Sequence, residues 1–531
     1  MVIIKNKSSL IKKNTKSKKK KNAGKKNIKY RSNKKFTRKK GGSDSTEILD
    51  KYLNIDANPN LYVKNNYINK EVNPDRLPRD VLSTISNYLP ELNNENIRTI
   101  IINYTSGDKD TLKNYGWMGN ISEWDVSKVT NMSNLFKHCK NFDEDISSWN
   151  VSNVTDMSNM FNNATSFDQP IDKWDVSNVE NMVGMFNYSK KFNQPLNNWN
   201  VSNVTNISGM FHHAHSFNKD ISGWDVSKVT NMNYLFAHCK NKLFDEDISA
   251  WDVSKVTNMN FLFLHCKNFN QPLTDWNVSN VTNMDGMFSY CENFDEDISS
   301  WNVSNVTTMS GMFLNAIKFN QPLDNWNVSN VTDMSFMFRD AHSFDKDISG
   351  WDVSNVTNMT KMFKKTNSFN QPLTDWNVSN VDDMSGMFDH AHSFDKDISG
   401  WDVSNVTHME QMFHGVTQFN QPLNSWNVSN VTNMAWMFKD AHSFDKDISG
   451  WDVSKVTNIN GLFLGASSFN QDIGEWSLRN IHVWESTQPW IFENAISFNQ
   501  DISKWNTPWP MLLDKYKNTK NKNTKKKCNI M

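Results

Sequence analysis

A tryptophan recurs every 25 residues along most of the 531-residue chain, and this repeat restricts the possible folds more than any other feature. The series runs from Trp124 to Trp505, with two residues added near Asn241–Lys242 and four within Ser477–Ile491. Fifteen units lie between the first and the last of these tryptophans. A fixed period of roughly 20 to 50 residues is typical of solenoids, in which stacked units bury an apolar face that one unit cannot bury alone.

The unit that begins at Trp351 predicts a short strand followed by a helical turn. Trp351 and Val353 lie on either side of Asp352, which is the alternation of a strand with one buried face. Four residues then follow at the i, i+3, i+4 and i+7 spacing of one helix face: Met359, Met362, Phe363 and Thr366. The sequence therefore predicts an α/β repeat, a right-handed solenoid of about fifteen 25-residue coils with Trp, Val, Met and Phe columns inside.

The repeat resembles that of the BspA-like leucine-rich repeat surface proteins. The pattern W-[DN]-V-S-[NK]-V-T-[ND]-M-S-x-M-F-x-x-A-x-x-F-[ND]-x-x-[IL] covers residues 115–506. The resemblance implies a leucine-rich-repeat-like solenoid without catalytic residues. That family includes bacterial adhesins, mycoplasma lipoproteins and many proteins of giant DNA viruses, and the Asn-, Lys- and Ile-rich composition is similar to the viral group. The N-terminal sequence matches neither a secretory signal nor a lipobox, so we expect a cytoplasmic protein.

The two ends of the chain differ from the repeats in charge. Residues 1–40 contain eighteen Lys or Arg and no acid, and residues 514–531 contain seven Lys and one Asp. Because the whole chain is neutral, residues 41–513 carry about 24 excess negative charges. We expect disordered basic tails over residues 1–45 and 507–531, and basic arms of this kind bind nucleic acid or the cytoplasmic leaflet of a membrane.

Residues 46–114 predict a helical N-terminal cap that shields the apolar edge of the first coil, as a solenoid requires. Within this segment, residues 76–90 resemble the opening of an F-box. Four apolar residues there fall on one helical face: Val81, Leu82, Ile85 and Leu89. Later F-box features, including the usual Trp segment, are not evident, so the segment is open to two interpretations, a structural cap or a docking helix for a ubiquitin ligase.

The last four residues, beginning at Cys528, match a C-a-a-X box of the farnesylated type, with Asn529 as a mild departure. Three lysines precede the box: Lys525, Lys526 and Lys527. One lipid chain gives only marginal membrane binding, and a polybasic segment supplies the second signal. We therefore expect Cys528 to be prenylated and to hold the protein on the cytoplasmic face of a membrane. The alternative is a chance cysteine in a disordered tail.

Asp and Asn alternate directly after the Trp of successive coils in the second half of the repeats. The six residues are Asn327, Asp352, Asn377, Asp402, Asn427 and Asp452. Carboxylates in adjacent coils would lie roughly 5 Å apart, and a neutral coil between them about halves their repulsion. We take this exposed polar ladder as the candidate binding face, with a merely solvated face as the alternative.

No catalytic, cofactor or metal site is expected, because a catalytic centre is normally singular and the repeats supply the same carboxylates many times. A glycine-rich phosphate loop, a nucleophile elbow and a metalloprotease helix are missing from the sequence. Three adjacent pairs could suggest a metal: His138-Cys139, His238-Cys239 and His265-Cys266. In each pair Cys faces inward and His points elsewhere, so the ligands do not converge.

Two other recurring motifs have structural explanations. His342, His392 and His442 recur at the end of a predicted helical turn, where a cation interacts with the terminal carbonyls. The Asn-Val-Ser and Asn-Val-Thr triplets match glycosylation acceptors, but they belong to the stacked repeat and are interpreted as polar ladders.

We therefore expect a non-enzymatic protein-binding scaffold, monomeric and cytoplasmic in a host cell, attached to a membrane through Cys528. The first alternative is an F-box-type substrate-recognition subunit of a ubiquitin ligase that docks through residues 76–90. The second is a structural or nucleic-acid-associated component that uses residues 1–40.

Overall fold

The computed structural model describes residues 91–108, 120–239, 247–482, 490–508 and 513. All of them belong to the compact unit Ile85–Met531. Helix α1 spans Ile97–Ser106, and a 3-10 helix spans Ile121–Glu123. The predicted N-terminal tail, the F-box-like segment and Cys528 lie outside the described residues.

Successive coils stack in register and are joined by main-chain contacts. With the Trp of each coil counted as position 1, isolated parallel bridges join position 8 of one coil to position 8 of the next, as Asn358 pairs with Asp383. At position 7 the N–H of Thr357 donates to the carbonyl of Thr332 in the preceding coil at 2.9 Å. The predicted repeat architecture is therefore confirmed.

The predicted helical turn is wrong for the coil of Trp351. Positions 11 and 15 have positive φ, 54° at Lys361 and 57° at Lys365, and an L-residue in this region leaves the right-handed helix. The N–H groups of Lys361, Phe363 and Lys365 donate to the next coil, to Ser385, Met387 and Asp389. A helix satisfies such groups within itself, whereas a stacked coil satisfies them between coils. The four residues predicted to face inward are nonetheless buried. The two positive-φ residues are four residues apart, so the turns place side chains inward at a spacing close to that of a helix.

The predicted strand at the start of each coil is also wrong within the described residues. Trp351 and Val353 are buried and Asp352 is exposed, as the alternation indicates. The bridges between coils form at position 8, however, and not at positions 1–3. A side chain supplies the contact at position 1, because the indole N–H of Trp351 donates to the carbonyl of Leu323 at 2.9 Å. Each coil is thus built from turns and isolated bridges, and the right-handed sense stays a prediction.

The core consists of columns of identical side chains that run from coil to coil. The Trp, Val, Met and Phe positions are at most 5% exposed in the coil of Trp351 and in its neighbours. Phe338 stacks on Phe344 of its own coil at 4.0 Å and on Phe363 of the next coil at 5.7 Å. Each buried side chain of this size contributes about 1.5–3 kcal/mol to folding. The column therefore gains stability with every coil that is added.

Helix α1 covers the first coil. Its residues Ile97, Ile100 and Ile101 are buried in the same core as the coils. The side-chain oxygen of Asn94, just before the helix, accepts the N–H groups of Thr130 and Asn131 at 3.0 and 3.1 Å. In later coils the position 7 N–H finds a carbonyl of the preceding coil, so Asn94 takes the place of a missing coil. Among the described residues, no helix has the length and apolar character needed to cross a bilayer.

Candidate functional site

The six residues of the predicted polar ladder lie exposed at position 2 of their coils. Each side chain accepts the N–H of the serine two residues later, at 3.0 Å for Asp352 and 3.2 Å for Asn377. Hydrogen bonds from the serine hydroxyl and N–H hold the pKa of Asp352, Asp402 and Asp452 below the ordinary value. These residues therefore close a turn in every coil, and a role in binding stays a prediction.

A different face of the coils varies from one coil to the next. It consists of positions 11 and 15, which have positive φ in all the coils from Trp124 to Trp451, and we call it the left-handed face. Position 11 is Asn, Gly, Tyr, Phe, Lys, Gln or Trp, and position 15 is His, Asn, Tyr, Asp, Lys or Gly, while position 13 is always Phe. Gly and Asn are the residues that tolerate positive φ most readily.

Large side chains on the left-handed face lie over the glycine of the following coil. A Cβ added at Gly286 would collide with the ring of Phe261, and one added at Gly461 would collide with the indole of Trp436. A Cβ at Gly415 would lie 3.0 Å from Cδ2 of His390. These side chains lean along the stack toward the next coil, so neighbours in one column touch.

Five aromatic rings at position 15 of consecutive coils form a continuous stack, which we call the aromatic ladder: Tyr188, His213, His238, His265 and Tyr290. Their centroids are 4.2, 4.2, 4.5 and 4.1 Å apart, and the largest interplanar angle is 28°. Aromatic pairs contribute about 0.5–1.5 kcal/mol beyond their burial, so the rings hold one another in place. Tyr188 is 38% exposed, and the ladder therefore presents a rigid aromatic edge at the surface.

A second row of rings lies beside the aromatic ladder. At position 11, Tyr234 stacks on Phe261 of the next coil at 4.9 Å. His212, at position 14, lies 5.5 Å from both Tyr188 and Tyr234 and so joins the two rows. Together the rows form a surface of eight aromatic rings across five consecutive coils.

Three imidazoles converge within this surface. One ring nitrogen each of His212, His213 and His238 lies within 4.8 Å of the others. Nδ1 of His213 is 3.3 Å from Nε2 of His215, which stands two residues later on the same coil. Burial lowers the pKa of His212 to about 4, so this imidazole is uncharged near neutral pH. The group has the chemistry of a nitrogen-donor site.

A charged cluster lies in later coils, beside the left-handed face, around Asp389 at position 14, whose side chain is 1% exposed. Its carboxylate is 2.5 Å from Nζ of Lys364, 2.5 Å from Nδ1 of His390 and 3.0 Å from Nδ1 of His414. Burial alone would raise the pKa of Asp389, but the contacts with His414, Lys364 and His390 hold it well below its ordinary value. The cluster is a buried ion pair in which the ammonium of Lys364 already occupies the carboxylate.

The comparison with protein families identifies the repeat. The family described as "Mycoplasma protein of unknown function, DUF285" matches in eight overlapping segments that together cover residues 110–521, more than three quarters of the chain. The chain belongs to the DUF285 family. The predicted membership of the BspA-like repeat family is thereby confirmed, because DUF285 repeats are of that type.

Other comparisons give only remote similarities to this DUF285 chain. No curated protein matches it. Among solved structures, the TLR13–ssRNA13 complex matches with 10% sequence identity, coverage of 71% of this chain and 70% of that chain, and a TM-score of 0.17. The plant peptide hormone receptor RGFR1 in complex with RGF2 matches with 8% identity, 68% coverage of both chains and a TM-score of 0.15.

The histidines that the sequence singled out have mixed positions in the DUF285 coils. Cys239 and Cys266 are buried, as expected, while His238 and His265 belong to the aromatic ladder. Nδ1 of His392 contacts a main-chain carbonyl, as predicted for its motif, but the carbonyl is that of Gly415 in the next coil at 2.9 Å. His342 and His442 make the equivalent contact with residues 365 and 465.

The left-handed face is not evident from residues that are adjacent along the chain. His238 and His265 each precede a cysteine, whereas their ring contacts are with rings 25 to 27 residues away. A signal was present in the DUF285 repeat itself. Position 11 is Gly in six of the fourteen coils from Trp124 to Trp451, and a glycine that recurs at one position indicates a positive φ.

Proposed function

We propose that this protein is a non-enzymatic protein-binding scaffold and that its binding surface is the left-handed face, centred on the aromatic ladder. The observation that carries the proposal is the stack of five rings from Tyr188 to Tyr290 at the surface of otherwise uniform coils. Membership of a leucine-rich-repeat-like family supports a binding role over a catalytic one.

The chemistry of the aromatic ladder suits a protein partner. Tyr and other aromatic residues dominate the binding energy of protein interfaces, because they offer a large apolar area together with a polar tip. Rings that are already stacked lose little side-chain freedom on binding, which lowers the entropic cost of association. Tyr188 and Tyr290 end the ladder and supply hydroxyl groups at its two edges.

The rest of the coil surface is a weaker candidate because its polar groups are already paired. The side-chain amide of Asn355 donates to the carbonyl of Ser329 at 2.7 Å, and the hydroxyl of Thr357 donates to the carbonyl of Thr332 at 3.3 Å. The same bonds recur in neighbouring coils. A surface that repeats without change offers a partner no preferred register, whereas the left-handed face differs between adjacent coils.

The test replaces rings by a residue that the fold already uses at the same position. Asn occupies position 15 at Asn163 and Asn315 with φ of 60° and 56°, so Asn substitutions suit the backbone. The triple variant Tyr188→Asn, His265→Asn and Tyr290→Asn should reduce recovery of the partner from host cells at least tenfold. Truncating one hot-spot residue costs about 2 kcal/mol, or roughly 30-fold in affinity.

Lys365→Asn is the matched control, because it changes position 15 outside the aromatic ladder. Quantitative mass spectrometry of the tagged full-length chain, compared among wild type, triple variant and control, gives the readout. Equal recovery of the same partner by wild type and triple variant would refute the proposed surface. Equal losses in the control and the triple variant would point to a general effect on the coils instead.

We further propose that Cys528 is prenylated and that Lys525–Lys527 help to hold the scaffold on the cytoplasmic face of a membrane. The support is the C-a-a-X match and the polybasic segment before it. Intact mass from eukaryotic cells should rise by one isoprenoid, and Cys528→Ser should abolish the rise. An unmodified mass would exclude the attachment.

The other predictions also stay open, since residues 1–40 and 76–90 lie outside the described part of the chain. An F-box-type role requires that residues 70–115 within the full chain contact the ligase adaptor, which cross-linking with purified adaptor would measure. A nucleic-acid role requires salt-sensitive binding that deletion of residues 1–40 abolishes. Membership of the giant-virus group likewise remains a prediction from composition.

A further inference from the structure

Three imidazoles converge at this surface, and only two of them, His213 and His238, belong to the aromatic ladder. His212 and His213 are consecutive on one coil, and His238 stands at position 15 of the next. The ring centroids of His212 and His213 are 4.4 Å apart with an interplanar angle of 44°, whereas His213 and His238 are nearly parallel. Two coils thus bring together three nitrogen donors.

The spacing of the nitrogens is close to what a small transition-metal ion requires. Zinc–imidazole bonds of about 2.0–2.1 Å in tetrahedral geometry place two ligand nitrogens roughly 3.3 Å apart. The three nitrogens here lie within 4.8 Å of one another. Each pair therefore has to close by at most about 1.5 Å, and the nearly parallel rings of His213 and His238 have to turn out of their stack so that both ring planes meet at the ion.

The surroundings of the three rings also suit metal ligation. A metal-bound imidazole is usually oriented through its second ring nitrogen by a neighbouring polar group. His215 stands in that place when Nε2 of His213 is the ligand, because Nε2 of His215 is 3.3 Å from Nδ1 of His213.

The other group of potential ligands is a poorer candidate. Asp389, His390 and His414 also converge within 4.8 Å. The ammonium of Lys364, however, lies 2.5 Å from the carboxylate of Asp389 and supplies the positive charge that an ion would bring. A cation would therefore have to displace Lys364 from the carboxylate of Asp389.

We propose that His212, His213 and His238 bind one divalent transition-metal ion of the zinc class. Imidazole ligands favour zinc, copper and nickel over magnesium and calcium, which prefer oxygen. Three protein ligands leave a fourth coordination position for water or for a side chain of a bound partner. The proposal does not depend on the proposed function, because the chain can bind the ion whether or not the face binds a protein.

Isothermal titration of the full-length chain with Zn²⁺ tests the site, with the Co²⁺ absorption spectrum as a second readout of nitrogen ligation. The wild type should bind one ion that His212→Asn and His238→Asn each weaken at least about tenfold, with a smaller loss in His215→Asn. Circular dichroism confirms that each variant keeps the fold, and Asn is already found at positions 14, 15 and 17, as Asn162, Asn163 and Asn367.

His390→Asn is the matched control, since it changes a histidine at position 15 in the other cluster. Its affinity for Zn²⁺ should equal that of the wild type. Absence of zinc binding by the wild type would overturn the proposal. So would a site that His390→Asn removes and His238→Asn leaves unchanged, because the ion would then belong to the Asp389 cluster.

Discussion

The indole of Trp436 lies over Gly461, the residue at the same position of the next coil. A Cβ at Gly461 would overlap the indole, and the φ of Gly461 is 61°. Two independent constraints therefore require glycine there, the ring above it and the left-handed backbone. Phe261 and Gly286 have the same relationship, so the pairing occurs at two places on the left-handed face.

Gly461→Ala should destabilise the chain by about 1–3 kcal/mol, because alanine meets the indole and also adopts a left-handed conformation. Adding Trp436→Asn should restore the stability that is lost through the collision with the indole. The loss that comes from the left-handed φ of residue 461 should remain. Gly450→Ala is the control, since nothing lies within 4 Å of its added Cβ. Chemical denaturation monitored by circular dichroism gives the comparison, and equal effects of Gly461→Ala and Gly450→Ala would contradict the pairing.

Asp352→Asn should leave the local turn intact, whereas Asp352→Ala should weaken it by about 1 kcal/mol or less. The reason is that Asn accepts the serine N–H in the alternate coils, as Asn377 does at 3.2 Å. Amide exchange at Ser354 measures the difference. Faster exchange in both variants would show that the carboxylate charge, and not the hydrogen bond, protects the turn.

The pH dependence of the same turn follows from the lowered pKa of Asp352. A carboxylate whose pKa is lower in the folded state contributes stability above the unfolded value of about 4, and this contribution is lost as the pH falls through the folded value. Protection of the Ser354 amide should therefore decrease below about pH 4 in the wild type. Asp352→Asn should show a smaller decrease over the same pH range.

Asp389→Asn should destabilise the chain by about 3 kcal/mol, because it leaves Lys364 without its partner in a largely buried place. Asp440→Asn is a suitable control, since the side chain of Asp440 is 43% exposed and its contacts with His414 and Lys439 are 3.9 Å long. Its effect should stay within about 0.5 kcal/mol. Similar melting temperatures for the two variants would show that the buried carboxylate of Asp389 contributes no more to stability than the exposed one of Asp440.

Asn94→Ala should loosen the start of the solenoid, because the N–H groups of Thr130 and Asn131 lose their acceptor. Loss of a capping side chain costs about 0.5–2 kcal/mol. Hydrogen exchange should accelerate at Thr130 and Asn131 and remain unchanged in the coil of Trp351. Glu95→Ala changes an exposed neighbour of Asn94 and should leave hydrogen exchange unchanged in both regions. Faster exchange at Thr130 and Asn131 in this variant would show that the helix as a whole, and not the side chain of Asn94, protects them.

The sequence was sufficient to predict which residues form the core but not how the backbone turns. Met359, Met362, Phe363 and Thr366 are buried, as their spacing indicates. The same spacing is also that of a helix face, but the backbone has a positive φ at Lys361 and Lys365 and so forms turns instead of a helix. Hydrogen bonds between coils decide this outcome, and a single unit taken alone contains no information about its neighbours.

The functional surface was harder to predict than the fold for a related reason. The alternation of Asp and Asn at position 2 is conspicuous in the sequence, yet those side chains close turns. The aromatic ladder becomes visible only when position 15 is compared across coils, because Tyr188 and Tyr290 are separated by a hundred residues of chain. Contacts between residues so far apart in sequence depend on the register in which the coils stack. The spacing of the tryptophans alone is enough to give that register.

The pairing of Trp436 with Gly461 has a consequence for how such a protein changes over time. The core columns do not depend on the identity of positions 11 and 15, so the surface can be altered one coil at a time without loss of the fold. A large residue that lies over the next coil, as Trp436 does, nevertheless restricts the choice at position 11 of the coil that follows. The residues at position 11 of two adjacent coils should therefore change together during evolution. A duplicated block of coils should keep its binding specificity when it contains both coils of such a pair.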